Sequence, residues 1–205
     1  MAYPIKKLEF FFIFLILPSA IFFLDSSIIV FLTLYLVFTL SIVILYFDKS
    51  FSFTSLRKKV DWKFIIIFSL IFLSLSFLYV ILLDKDLLFI FPKTNFELWL
   101  LVILIYPFLS VIPQEIVYRV FFFQRYFPNE RSFYFLTLLN MIVFSYGHIV
   151  FNNVHAILIT AIVSPIFTYA YLKKSFFTCI VLHALGGQII FTLGLGKYFL
   201  SIMNF

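Results

Sequence analysis

The sequence contains little charge and a single cysteine. Only 12% of its 205 residues are charged and 64% are hydrophobic, whereas soluble domains have about 25% charged and about 45–50% apolar residues. No segment is polar enough to form a separate soluble domain, so we expect one membrane domain over residues 1–205. Cys179 stands alone and therefore excludes an intramolecular disulfide.

The abundant residues are aromatic and other apolar residues, which are stable in contact with lipid. Aromatic residues make up 23% of the chain, including 33 phenylalanines, and a soluble fold could not bury that much ring surface. We therefore predict an all-α, polytopic membrane helix bundle in a lipid bilayer. The net charge is +6, and the basic residues lie in short loops, where they set the orientation of the spans in the membrane. We therefore expect no nucleic-acid partner.

The apolar runs predict about seven transmembrane helices, because a span needs about 20 apolar residues. The N-terminal segment has a basic start and a long apolar stretch, and we interpret it as a retained first helix. The last four spans would form the core bundle, residues 97–195. The predicted spans cover approximately residues 8–24, 28–47, 63–83, 97–123, 133–151, 154–172 and 176–195.

The basic residues predict the orientation through the positive-inside rule. With a cytoplasmic N-terminus, only Lys85, Lys93 and Lys197 fall outside. The short loops and small size favour a bacterial plasma membrane. The basic residues that would face the cytoplasm are Lys6, Lys7, Lys49, Arg57, Lys58, Lys59, Lys63, Arg125, Arg131, Lys173 and Lys174.

Gln114, Glu115 and Arg119 lie inside one predicted span, and His148 and His183 lie inside two later ones. Ionisable groups at such depth are costly and usually mark functional sites. Glu115 and Arg119 are four residues apart and share a helix face, so they could also be a purely structural ion pair. Gln114 lies about 100° around the helix from Glu115 and could face the same cavity.

A glutamate and two histidines on three spans indicate hydrolytic chemistry. Glu115, His148 and His183 could bind zinc, which takes three protein ligands and a water in catalytic sites. Alternatively, a carboxylate acts as general base while a histidine stabilises an oxyanion. Cys179 and His183 also share a face, but a buried cysteine is usually an apolar filler.

The segments around Glu115, His148 and His183 resemble the CAAX-protease and bacteriocin-processing (CPBP, abortive-infection) family of intramembrane proteases. The family's Glu-Glu-x-x-x-Arg appears as Gln114-Glu115-x-x-x-Arg119, and its Phe-x-x-x-His as Phe144 to His148. The third motif, His-x-x-x-Asn/Asp, keeps His183 but has Gly187 at its end. Gln188 lies about 140° around an ideal helix from His183, so it is a poor substitute.

The resemblance implies an intramembrane endopeptidase, metallo- or glutamate-dependent, that cleaves a membrane-embedded or lipid-anchored peptide. Glu115 would activate water, Arg119 would orient Glu115, and Gln114 would position water or the substrate carbonyl. His148 and His183 would bind zinc or stabilise the oxyanion. Because the family's first glutamate is replaced by Gln114, an alternative is a catalytically impaired, peptide-binding or immunity-type protein. A transporter component is the third possibility.

Overall fold

The computed structural model describes residues 2–24, 26–130 and 132–199, and the regular structure within these ranges is helical. Arg131, one of the predicted cytoplasmic cations, lies outside the described residues. We number the helices in chain order: α1 (residues 2–22), α2 (Ser27–Phe47), α3 (Trp62–Asp84), α4 (Phe96–Tyr126), α5 (Phe133–Gly147), α6 (Val154–Tyr169) and α7 (Phe176–Leu193).

Six helical segments of the described chain are long and apolar enough to cross a membrane, which confirms the predicted fold class. They overlap the second to seventh predicted spans, and the segment Trp62–Thr94 extends past the predicted end at residue 83. The predicted first span, residues 8–24, is helical as far as residue 22 and belongs to α1. Helix α1 also contains Lys6 and Lys7, and it is not among the six. Many large apolar side chains on these helices are exposed, as expected for contact with lipid; examples are Leu32, Leu70 and Ile162.

Helix α4 is irregular in the region that carries the first motif. Two π-helical turns, Pro107–Val111 and Ile116–Phe121, flank the short α-helical stretch Ile112–Glu115. Proline lacks the backbone N–H that an α-helix needs, and π-helical turns occur frequently at functional sites. Pro107 opens the first of these turns. The irregularity shifts side-chain bearings along α4 from those of an ideal helix.

Short polar side chains define where several helices begin. Asp61, Asn95, Ser132 and Ser175 each accept a hydrogen bond from a backbone N–H in the first turn of the helix that follows. Such caps satisfy donors that have no partner within the helix, which matters most beside an apolar medium. Helix α7 ends at Gly194, whose φ of 100° is readily adopted only by glycine.

The chain divides into two compact units. The first unit contains Met1–Leu56 and Pro113–Tyr169, and the second contains Arg57–Ile112 and Ala170–Phe205. The single domain predicted for residues 1–205 stays a prediction.

An aromatic cluster packs α1 against the end of α4 within the first unit. Phe14 lies 5.5 Å from Tyr118 and 5.6 Å from Phe122, measured between ring centroids. Beside this cluster, both Nε and Nη2 of Arg125 donate to the Glu9 carboxylate, at 3.0 and 2.9 Å. This bidentate ion pair offsets the negative charge of Glu9 on α1 with the positive charge of Arg125 on α4.

Helix α3 packs against α7 within the second unit, and Asp61 links their ends. Its backbone N–H donates to Thr178 Oγ1 at 2.9 Å, and its carboxylate accepts from Lys174 Nζ at 2.8 Å. The carboxylate also accepts from the Phe64 backbone N–H at 2.9 Å. The bond from Lys174, followed by that from Phe64, holds the pKa of Asp61 below its ordinary value of 3.8.

We predict that Asp61→Asn lowers the thermal stability of the purified protein slightly at neutral pH, because the bond to Lys174 loses its charge. Since the folded pKa is depressed, the carboxylate's contribution is fully present above the unfolded value and is lost as pH falls through the folded value. The stability difference between the two proteins should therefore shrink below about pH 4. Asp86→Asn, which changes an exposed carboxylate, is the control; an equal effect of both substitutions would contradict the assignment.

Candidate active site

Glu115 and Arg119 form a buried ion pair on α4. Both side chains have no solvent exposure, and Arg119 Nε lies 3.6 Å from Glu115 Oε2. Their spacing of four residues places them on one helix face, as the sequence predicted. Two charges in an apolar interior are tolerable only when they offset each other, so each requires the other in place.

The guanidinium of Arg119 is held by side chains from α5 and α6. Its central carbon lies 4.3 Å from the centroid of the Phe144 ring and 5.8 Å from that of Phe167. Arg119 Nη2 donates to Ser164 Oγ at 3.5 Å, a long hydrogen bond. Arg119 therefore anchors α4 against two neighbouring helices of the same unit through charge and ring faces.

Asn140 is a further buried polar residue of the first unit, and it was missed in the sequence analysis. Its Nδ2 donates to the Tyr118 carbonyl at 2.6 Å, and its Oδ1 accepts from Thr168 Oγ1 at 3.0 Å. Asn140 is fully buried on α5. A neutral amide within an apolar run was the available signal, and it is weaker than that of an ionisable group.

His148 follows the last residue of α5 and is oriented by Phe144. The imidazole Nδ1 lies 2.7 Å from the Phe144 carbonyl oxygen. Because a carbonyl can only accept, Nδ1 must carry the proton, and Nε2 is then the basic nitrogen of the neutral ring. The rings of Phe144 and His148 also pack with their centroids 4.7 Å apart. The second motif thus fixes both the tautomer and the orientation of its histidine.

Gln114 and His148 line one cavity within the first unit. The cavity has a volume of about 90 Å³ and is also lined by Tyr118. Gly147 permits this arrangement, because a Cβ there would overlap the Tyr118 hydroxyl. The remaining walls are mostly apolar and come from α1, α2, α4 and the segment after α5: Ile13, Leu17, Pro18, Ile21, Val30, Thr33, Leu34, Val37, Val117, Val150 and Phe151.

Glu115 does not line this cavity, although its neighbour Gln114 does. Gln114 and Tyr118 are four residues apart and form the cavity face of α4, whereas Glu115 and Arg119 form its buried face. Of the five predicted site residues, the structure therefore brings Gln114 and His148 to the cavity and pairs Glu115 with Arg119 away from it.

His183 lies on α7 in the second unit and is buried. Its Nε2 is 3.3 Å from the hydroxyl of Tyr106, a residue that the sequence analysis did not identify. Gln188 Nε2 donates to the Ile103 carbonyl at 3.0 Å. The prediction that Gln188 is a poor substitute for the side chain missing at Gly187 stays a prediction.

The described residues contain no group of three or more His, Cys, Asp and Glu side chains arranged to hold a metal ion. Zinc bound by Glu115, His148 and His183 therefore remains a prediction from residue types alone. Cys179 is fully buried, as expected of an apolar filler.

Comparison with protein families supports the resemblance inferred from the motifs. The model of a family described as "Type II CAAX prenyl endopeptidase Rce1-like" matches residues 95–186, which is less than half of the chain. The matched segment contains the first two motifs and His183, and it ends immediately before Gly187. Comparisons with curated proteins and with solved structures gave no match. The predicted resemblance to CAAX-type intramembrane proteases is confirmed.

We predict that Glu115→Gln lowers the free energy of unfolding by about 3–5 kcal/mol, because it leaves the buried Arg119 without its counterion. Chemical denaturation in detergent, followed by circular dichroism, measures the change.

The control is the double variant Glu115→Leu with Arg119→Met, which removes both charges and conserves most of the volume. It should recover most of the lost stability, since apolar replacements of buried pairs are often neutral. A loss below about 1 kcal/mol for Glu115→Gln alone, the range of an exposed pair, would show that the pair is not a structural anchor.

Proposed function

Because residues 95–186 match the Rce1-like family, we propose that this protein is an intramembrane endopeptidase. Its substrate would be a peptide whose end is embedded in the membrane or carries a lipid anchor. The observation that carries the proposal is the cavity that Gln114, Tyr118 and His148 line together. Polar groups that converge in an apolar cavity are the usual form of a catalytic pocket.

The cavity suits a hydrolytic water. Its volume of about 90 Å³ exceeds the roughly 10–15 Å³ that one water requires. His148 and Gln114 offer polar partners that such a water needs, since an amide both donates and accepts hydrogen bonds. The apolar walls would suit the membrane-embedded part of a substrate.

We assign water activation to His148 Nε2. The bond from Nδ1 to the Phe144 carbonyl leaves Nε2 as the basic nitrogen, and histidine is the most common general base. Nε2 would accept a proton from water as the water oxygen attacks the peptide carbonyl carbon. The same proton would pass to the leaving amine nitrogen as the C–N bond breaks.

The other predicted site residues take supporting roles in this proposal. Gln114 would orient water or the substrate carbonyl, because its amide cannot serve as a base near neutral pH. Glu115, which lies off the cavity beside Arg119, would hold Arg119 and thereby the Phe144 ring that packs on His148. For His183, which lies in the second unit, the hydrogen bond to the oxyanion that the family resemblance implies stays a prediction.

The test uses a fluorogenic, farnesylated peptide with purified protein in proteoliposomes. We predict that His148→Ala lowers kcat by about 10²- to 10⁴-fold, which is the contribution of a positioned general base. Gln114→Glu should raise kcat, because it adds a carboxylate to the cavity wall. His155→Ala, at the start of α6, is the matched histidine control and should leave kcat unchanged.

Undiminished cleavage by His148→Ala would overturn the assignment of the base. If Glu115→Gln then abolished cleavage at a temperature where that variant remains folded, Glu115 would be the water activator, as the sequence analysis predicted.

A second candidate function is peptide binding without cleavage. It is favoured by Gln114, since the residue at the cavity wall is an amide where the family motif has a glutamate. This function predicts that the native protein binds the farnesylated peptide without cleaving it. Cleavage would then appear only in Gln114→Glu.

A further inference from the structure

The third motif is incomplete in sequence, because Gly187 has no side chain to offer His183. Residues 183 and 187 are four apart on α7, so a side chain at 187 would lie on the same helix face as the imidazole. In this protein that space is occupied from another helix of the same unit.

The occupant is the ring of Tyr106, at the end of the first α-helical stretch of α4. A Cβ built on Gly187 would overlap Cε1, Cζ and the hydroxyl oxygen of Tyr106. The absence of a side chain at 187 is therefore what allows the ring to lie there. Glycine at this position is a requirement of the packing as well as a departure from the motif.

The Tyr106 ring is fixed at its edge and at its hydroxyl. It packs edge-on against Phe191 with centroids 5.2 Å apart, and against the His183 imidazole at 6.3 Å. Its hydroxyl lies 3.3 Å from His183 Nε2. Trp99 Nε1 donates to Thr192 Oγ1 at 3.2 Å and fastens the same stretch of α4 to α7.

We propose that Tyr106 is the positioning residue for His183, and that its hydroxyl replaces through space the polar side chain that Gly187 lacks. A hydroxyl can donate to the ring nitrogen or accept from it, so it can select one imidazole tautomer and one ring orientation. The inference rests on the proposed function only where it concerns catalysis; the contact itself can be tested without activity.

The first test is nuclear magnetic resonance of protein labelled with ¹⁵N-histidine in micelles, which is tractable because the chain has 3 histidines. Tyr106→Phe removes only the hydroxyl and keeps the packing of the ring. The ring-nitrogen signals of His183, which report the tautomer, should shift, while those of His148 and His155 stay in place. Tyr79→Phe, a change on an exposed tyrosine of α3, should shift none of them. Unchanged His183 signals in Tyr106→Phe would overturn the inference.

The second test asks whether a second substitution restores the His183 environment that Gly187→Asn disturbs. Gly187→Asn alone should force the Tyr106 ring away and disturb the His183 signals. The double variant Tyr106→Ala with Gly187→Asn opens the space and supplies an amide on the face of His183. It should restore a single His183 tautomer and regain the thermal stability that Gly187→Asn loses. Failure of the double variant to improve on both single variants would also overturn the inference.

Kinetics then separate this inference from the proposed function. With the farnesylated peptide, Tyr106→Phe should lower kcat by about 10- to 100-fold, the range for residues that orient catalytic histidines at metal sites. KM should change little. If the native protein and Gln114→Glu both fail to cleave, the peptidase proposal fails and the resonance tests alone decide the role of Tyr106. If cleavage and the His183 signals are both unaffected in Tyr106→Phe, the inference fails and the peptidase proposal stands.

Discussion

The buried ion pair of Glu115 and Arg119 is the constraint on which the first unit depends. A guanidinium without solvent exposure has to be offset by a carboxylate and by groups that accept its partial charges. Phe144 supplies a ring face to Arg119 at 4.3 Å, and the same residue orients His148 through its carbonyl and its ring. The ion pair is therefore connected to His148 at the cavity through the contacts of Phe144.

Two adjacent residues of α4 face different surroundings. Glu115 belongs to the buried face with Arg119, whereas Gln114 belongs to the cavity face with Tyr118. Because the faces are separate, we expect an exchange between glutamate and glutamine at 114 to leave the ion pair intact and to alter the cavity. The fold can therefore persist whether or not the cavity wall carries a base.

The second unit illustrates how a polar group can reach a histidine without a motif side chain. Gly187 leaves space beside His183, and the Tyr106 ring fills it from α4. Helix α7 continues through this glycine and ends only at Gly194, where the backbone turns left-handed. Gly187 and Gly194 thus have two separate roles, one in close packing and one in helix termination.

The sequence by itself determined the membrane class, six of the seven predicted spans (α2 to α7) and the shared helix face of Glu115 and Arg119. These follow from hydropathy and from the four-residue period of a helix, which satisfies its own hydrogen bonds in lipid. Only the tertiary structure decided that Gln114, and not Glu115, lines the cavity, and that Tyr106 contacts His183. Hydropathy does not reveal which face of α4 meets α1 and α2 at the cavity. The contact with Tyr106 joins residues 77 positions apart, and it forms only because packing brings two helices together at a glycine.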